Sequence, residues 1–155
     1  MYLHRIRHDR DWWSHLLNVE ARKPLATEGW DERVASYLWT ALALAPGKRV
    51  LDLACGDGDV TRRLARQGAL GVGLEICPQL VHHCAGHAHP VARFRYLEGD
   101  MRNPGAALAR QAPFDAAFLI GPRFGVFEAV VNQVVLAQAG ELLAPGGRLL
   151  VQVHG

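Results

Sequence analysis

Eight residues from 52 to 59, Asp-Leu-Ala-Cys-Gly-Asp-Gly-Asp, place three carboxylates around two glycines. Gly56 and Gly58 tolerate positive φ and carry no side chain, so a ligand can approach the backbone between them. Asp52, Asp57 and Asp59 oppose a phosphate dianion, and the turn therefore suits a ligand that brings positive charge. Two further carboxylates follow at Glu75, in Gly73-Leu-Glu-Ile76, and at Asp100, in Leu97-Glu-Gly-Asp-Met101. An ionised carboxylate offers two acceptor oxygens, which match a diol or an exocyclic amine. A GxG turn with an acidic residue about 19 positions later would also suit the ribose of a nicotinamide dinucleotide. The acidic turn, and Thr61 where that fingerprint has its third glycine, weigh against a pyrophosphate.

Other reactive types stand apart from this group. Arg123, in Ile120-Gly-Pro-Arg-Phe-Gly125, is a candidate to hold an acidic substrate, and His154 is a candidate base for a hydroxyl or amine. The run His82-His-Cys-Ala-Gly-His-Ala-His89 puts His83 and His87 on one helix face, but no third ligand is set by spacing, so exposed histidines are expected and no metal. Cys55 reads as a small packed residue rather than a reactive thiol at a helix start. Asp59 reads as a helix N-cap and is left out of the ligand group. Trp12 and Trp13 read as core aromatics, with a lid over the ligand as the alternative.

The elements that must position these groups follow from periodicity. Up to about Pro46 the apolar spacing is helical, through Trp12, Trp13, Leu16 and Leu17 and then Val34, Leu38, Ala41 and Leu42, with Asp31 expected as the second N-cap. Beyond it, Arg49–Ala54, Leu70–Ile76, Arg93–Glu98, Phe114–Ile120 and Arg148–Val153 read as strands. Helical patterns over Asp59–Gln67, Pro78–His87 and Gly125–Leu143 separate them, Asn103–Ala112 reads as a loop with one helical turn, and Pro145-Gly146-Gly147 reads as a stop. Nearly continuous apolar strands between helices predict an open, doubly wound parallel sheet with helices on both faces, in which ligands sit beyond the strands' carboxyl ends.

Composition bounds the rest. The 155 residues suit one domain, read as a helical cap over 1–45 and an α/β core over 46–155. A hydrophobic share of 50% against 21% charged residues excludes disorder, and no apolar run approaches the roughly 18 residues of a membrane span. The net charge of +2 comes with scattered arginines, which argues against a nucleic-acid partner. Three cysteines without a CxxC pair fit reduced thiols, and the absence of an apolar leader makes the cytoplasm the default. The scarcity of lysine beside abundant Ala, Leu and Gly suggests a bacterial source.

S-adenosylmethionine carries no phosphate and has a cationic sulfonium and ammonium, so it answers the charge of the glycine turn. At the motif level the chain resembles the class I, Rossmann-like S-adenosylmethionine-dependent methyltransferases. The resemblance rests on Val50–Gly58, Glu75, Gly99-Asp100-Met101, Phe114-Asp115 and Leu142-Leu-Ala-Pro-Gly-Gly-Arg-Leu-Leu-Val151; the family usually has glycine where Ala54 stands. It implies a sheet of five parallel strands in the order 3-2-1-4-5, with the family's usual C-terminal antiparallel hairpin absent. It implies that Glu75 takes both ribose hydroxyls, that Asp100 takes the adenine amino group, and that Met101 contacts the ring. Asp52, Ala54 and Gly56 would hold the methionine end, with Gly58 and Ile76 completing the cofactor set.

The function so implied is methyl transfer from S-adenosylmethionine to a small-molecule oxygen or nitrogen acceptor, leaving S-adenosylhomocysteine. Ile120–Gly125 lacks the Asn/Asp-Pro-Pro-aromatic arrangement of enzymes that methylate amino groups of bases or glutamine. The alternative is a noncatalytic module that binds the cofactor or its product as a partner subunit. An apolar fifth strand at the sheet edge would also be a template for a homodimer.

Overall fold

The computed structural model describes residues 29–88, 93–121 and 123–153; the leading helical pattern with Trp12 and Trp13, and also His89 and His154, lie outside them. In chain order the elements are α1 (Trp30–Ala41), β1 (Arg49–Asp52), α2 (Asp59–Arg66), β2 (Leu70–Glu75), α3 (Pro78–Gly86), β3 (Phe94–Glu98), α4 (Gly105–Leu108), β4 (Phe114–Leu119), α5 (Ala129–Glu141) and β5 (Leu143–Val151). The five strands form one sheet in the order β3-β2-β1-β4-β5, and every pairing is parallel. This is the expected doubly wound topology.

Successive side chains of a strand point to opposite faces, and here both faces are covered. Val50, Phe94, Ala116 and Phe118 pack with Ala35 and Leu38 of α1 and Val60 and Leu64 of α2. Leu51, Val72, Leu74, Ala117 and Leu119 pack on the other face with Leu108, Val135 and Ala139. That is why the strands read as unbroken apolar runs. In α2 the buried Val60, Thr61, Leu64 and Ala65 form the inward stripe, while Asp59 in its first turn and Arg63 and Arg66 in its last complement the helix dipole. Pro78 opens α3 at its first turn.

Several boundaries differ from the sequence reading. Asp31 lies inside the first turn of α1, because Gly29 takes the left-handed conformation and caps the helix by backbone geometry. Asp59 is likewise the first residue of α2, with left-handed Gly58 as the cap. α5 is shorter at both ends than Gly125–Leu143, since Gly125 adopts φ +86 and sits in a turn before it. β5 begins before the Pro-Gly-Gly stop: Leu143 pairs with Phe114, the register shifts, and Arg148 resumes opposite Ala116. Pro145–Gly147 therefore bulge out of a strand that continues on both sides.

At the strands' amino ends, Lys48 Nζ lies 2.9 Å from Asp115 Oδ1 and the Arg49 amide donates to Asp115 Oδ2 at 2.8 Å. These bonds, with the Arg49 amide foremost, hold the Asp115 carboxyl below its usual range and lock the starts of β1 and β4 together. The carboxyl ends on the opposite edge are left for the site.

Candidate cofactor site

β1 ends at Asp52 and β2 at Glu75, so parallel pairing brings both carboxylates to one edge of the sheet. The intervening turn doubles back on positive φ values of +59° at Gly56 and +76° at Gly58. Glu75 is only 5% exposed and braces that turn. Its Oε2 accepts from the Gly56 amide at 2.8 Å, and its Oε1 from the Cys77 amide at 3.1 Å. Asp52 is 2% exposed and accepts from the Ala54 amide at 3.4 Å. Burial pushes its carboxyl up to about 7, against the pull of the Arg123 cation.

Arg123, in the turn after β4, reaches back across the sheet edge. Its Nη1 donates to the Ala54 carbonyl at 2.7 Å and stands 3.4 Å from Glu75 Oε2. A Cβ placed on Gly56 would come within 2.7 Å of its Nη2. The guanidinium thus lies over the glycine turn among the carboxylates.

Asp100, just past β3, accepts from the Arg102 amide at 2.9 Å through Oδ1, and through Oδ2 from Arg102 Nε at 2.8 Å and Nη2 at 2.5 Å. It borders an open surface groove whose lining also includes Val130, Val131 and Val134 of α5. A carboxylate facing an apolar wall is the arrangement a flat heteroaromatic ring with an exocyclic amine requires. Met101 is buried among Leu108 and its neighbours on the α5 face, and Ile76 is half-buried beside Glu75. Asp52 and Glu75 are the last residues of β1 and β2, and Ala54, Gly56, Gly58, Ile76, Asp100 and Met101 follow the carboxyl ends of β1, β2 and β3.

Support beneath the turn comes from Cys55 and Thr61, which the sequence reading named, and from Cys84 and Tyr96, to which it gave no role. Cys84 of α3 donates to the Gly56 carbonyl at 3.3 Å, and its Sγ would stand 2.9 Å from a Cβ on Gly58. The Cys55 thiol is pushed far above its usual range, first by its hydrogen bond with Cys84 and then by burial, which suits a packed residue and not a nucleophile. Thr61, wholly buried, bonds the Gly58 carbonyl at 2.8 Å and shares a 2.9 Å hydrogen bond with the Tyr96 hydroxyl. Asp59 pairs with Arg62 one turn further along α2. His83 and His87 are exposed on α3 with ring centroids 4.2 Å apart, and His87 Nδ1 lies 2.8 Å from the His83 carbonyl.

Residues 50–147 match the family model described as a methyltransferase domain. Among curated proteins, an uncharacterised methyltransferase of Synechocystis is 31% identical over 131 residues, covering 81% of this chain and 57% of its own. A ubiquinone biosynthesis O-methyltransferase of Xylella fastidiosa is 37% identical over 113 residues, 68% of this chain and 41% of that one. The chain thus spans about half the length of these relatives. A solved S-adenosylmethionine-dependent methyltransferase of Geobacter sulfurreducens, in complex with S-adenosylhomocysteine, superposes with a TM-score of 0.60 at 26% identity, over 77% of this chain and 47% of that one. The chain belongs to the methyltransferase-domain family.

Proposed function

We propose that this member of the methyltransferase-domain family binds S-adenosylmethionine at the carboxyl ends of β1, β2 and β3 and transfers its methyl group to a small-molecule oxygen or nitrogen acceptor. The observation that carries the reading is the pair of buried carboxylates, Asp52 and Glu75, wrapped around a positive-φ glycine turn. Such a cluster fits a ligand with cationic groups and a vicinal diol, and it disfavours a pyrophosphate. Glu75 faces the ribose, Asp100 and the valine wall of α5 face the adenine, and Asp52 with the Ala54 carbonyl faces the methionine end. Gly56, Gly58, Ile76 and Met101 line the same cleft.

When bound, the cofactor supplies an electrophilic methyl group on a sulfonium. The protein's part is then to position the acceptor in line and to exclude water, which can account for most of the acceleration without a covalent enzyme intermediate. His154, outside the described residues, is the proposed base because it follows the end of β5 in sequence. The quinone-pathway relative supports an aromatic or enolic hydroxyl as the first acceptor to try. We place the protein in the cytoplasm: none of its three cysteines is in a disulfide, and no described helix is long and apolar enough to cross a membrane.

Titration calorimetry with S-adenosylmethionine, S-adenosylhomocysteine and a nicotinamide dinucleotide tests the cofactor, with binding of the first two and none of the third expected. Turnover with methyl-labelled cofactor over catechols, amines, carboxylic acids and an RNA pool then tests the acceptor. Binding without transfer to any of them would favour the noncatalytic module, and transfer to the RNA alone would refute the small-molecule assignment.

A further inference from the structure

The guanidinium of Arg123 makes, from within the chain, the contacts that a cationic ligand of this turn would need. Its Nη1 donates to the Ala54 carbonyl at 2.7 Å and approaches Glu75 Oε2 at 3.4 Å, and its Nη2 lies 2.7 Å from the place a Gly56 Cβ would take. We propose that Arg123 is an intramolecular stand-in for the cofactor's ammonium group, and that it leaves the Ala54–Glu75 position when the cofactor binds. The inference rests on the cofactor assignment made above and adds a competing group to it.

Three observations support displacement over coexistence. A carboxylate has about four lone-pair sites. Glu75 already gives three of them to the Gly56 amide, the Cys77 amide and Arg123, so two ribose hydroxyls can both be accepted only after Arg123 withdraws. The Ala54 carbonyl is occupied as well, and a second cation beside the guanidinium would meet it at close range in a partly buried site. Finally, Arg123 lies between Gly121 at φ +81° and Gly125 at φ +86°, while the Gly121 amide is anchored to Gln152 Oε1 at 2.9 Å. The backbone before Arg123 is held, and a four-torsion side chain can swing outward without moving β4.

The consequence is quantitative. A ligand that needs a conformation populated only a fraction of the time binds with its affinity reduced by that fraction. If the guanidinium holds its inward position about nine-tenths of the time, removing it tightens cofactor binding about tenfold. The experiment is calorimetry on wild type, Arg123→Ala and Arg123→Gln with S-adenosylmethionine, S-adenosylhomocysteine and 5′-methylthioadenosine, which lacks the amino-acid arm. The first two ligands should bind Arg123→Ala several-fold more tightly than wild type, and 5′-methylthioadenosine, which keeps the ribose but lacks the ammonium group, by a clearly smaller factor. Arg123→Gln, which keeps a donor for Ala54 but loses the charge, should fall between and serves alone should the alanine variant not fold. Weaker or equal binding of both cofactor forms overturns the proposal, because Arg123 would then be a ligand holder or a bystander. Equal tightening of 5′-methylthioadenosine also overturns it, since the guanidinium would then compete with the ribose alone and would not stand in for the ammonium group. If wild type binds neither cofactor form, the cofactor assignment itself has failed, and the competition falls with it.

Discussion

Replacing Glu75 by glutamine or alanine separates two duties that one carboxylate performs. Both of its oxygens accept from buried amides, Gly56 at 2.8 Å and Cys77 at 3.1 Å, and the side chain is 5% exposed. Alanine leaves both donors without a partner, at about 1–3 kcal/mol each. For a chain of this size, 1 kcal/mol lowers the melting temperature by roughly 2–4 °C, so a fall of about 4–24 °C is expected for Glu75→Ala. Glutamine keeps one acceptor and turns an NH2 toward the other amide, so its expected loss is about half as large. The cofactor loses a charge-assisted bond in either variant, which should weaken binding about tenfold or more. Thermal unfolding without ligand reads the first duty and calorimetry with S-adenosylmethionine the second. Wild-type melting in Glu75→Ala would refute the bracing argument. A lowered melting temperature with unchanged affinity in Glu75→Gln would remove Glu75 from the ribose while leaving its structural role intact.

Asp52 makes a pH prediction with a definite sign. Its folded carboxyl is raised to about 7, mainly by burial, so between the usual carboxylate range and that value the folded protein keeps a proton that the unfolded chain releases. Its contribution to stability therefore falls as pH rises through that window, and Asp52→Asn should flatten the dependence in urea titrations at pH 5 to 8. A cation bound beside it favours the ionised form, so cofactor affinity should rise about tenfold from pH 6 to 8, with proton release seen as a buffer-dependent calorimetric enthalpy near pH 6.5. A flat profile in wild type, or the same profile in Asp52→Asn, would exclude Asp52 as the linked group. Gly56→Val must place a branched side chain at φ +59° and against Arg123, so loss of cofactor binding with the sheet retained by circular dichroism is expected; normal binding would move the site elsewhere. Among the described residues β5 pairs only with β4, and we infer a homodimer along its open edge. Light scattering after size exclusion should show a dimer that Val151→Pro weakens, and a monomer at high micromolar concentration would sink that inference.

The strands were legible because Val50 and Leu51, or Ala117 and Phe118, face opposite helical layers, so apolar residues had to run consecutively. The start of β5 was not, because Pro145-Gly146-Gly147 has the composition of a stop while Leu143 is nevertheless tied to Phe114; only the neighbouring strand decides whether such a segment ends pairing or bulges from it. Helix starts were misplaced by one or two residues for a related reason: Gly29 and Gly58 cap through left-handed backbone, and the nearby aspartates looked like side-chain caps that were not needed.

At the site, Asp52, Glu75 and Asp100 were recognisable because the first two close β1 and β2 and the third comes two residues after β3, and position along a parallel strand is a local property. The owner of the balancing charge was not recognisable. An acidic glycine turn states that a cation belongs there, but Arg123 is 69 residues from Ala54 and 48 from Glu75, and nothing local to Ile120–Gly125 shows that its guanidinium crosses the sheet edge. The same arithmetic that points to a cationic cofactor is satisfied, in this fold, by the chain itself. The carboxylates that recruit the ligand are therefore also those that retain its competitor, and any substitution that weakens one interaction must be read against the other.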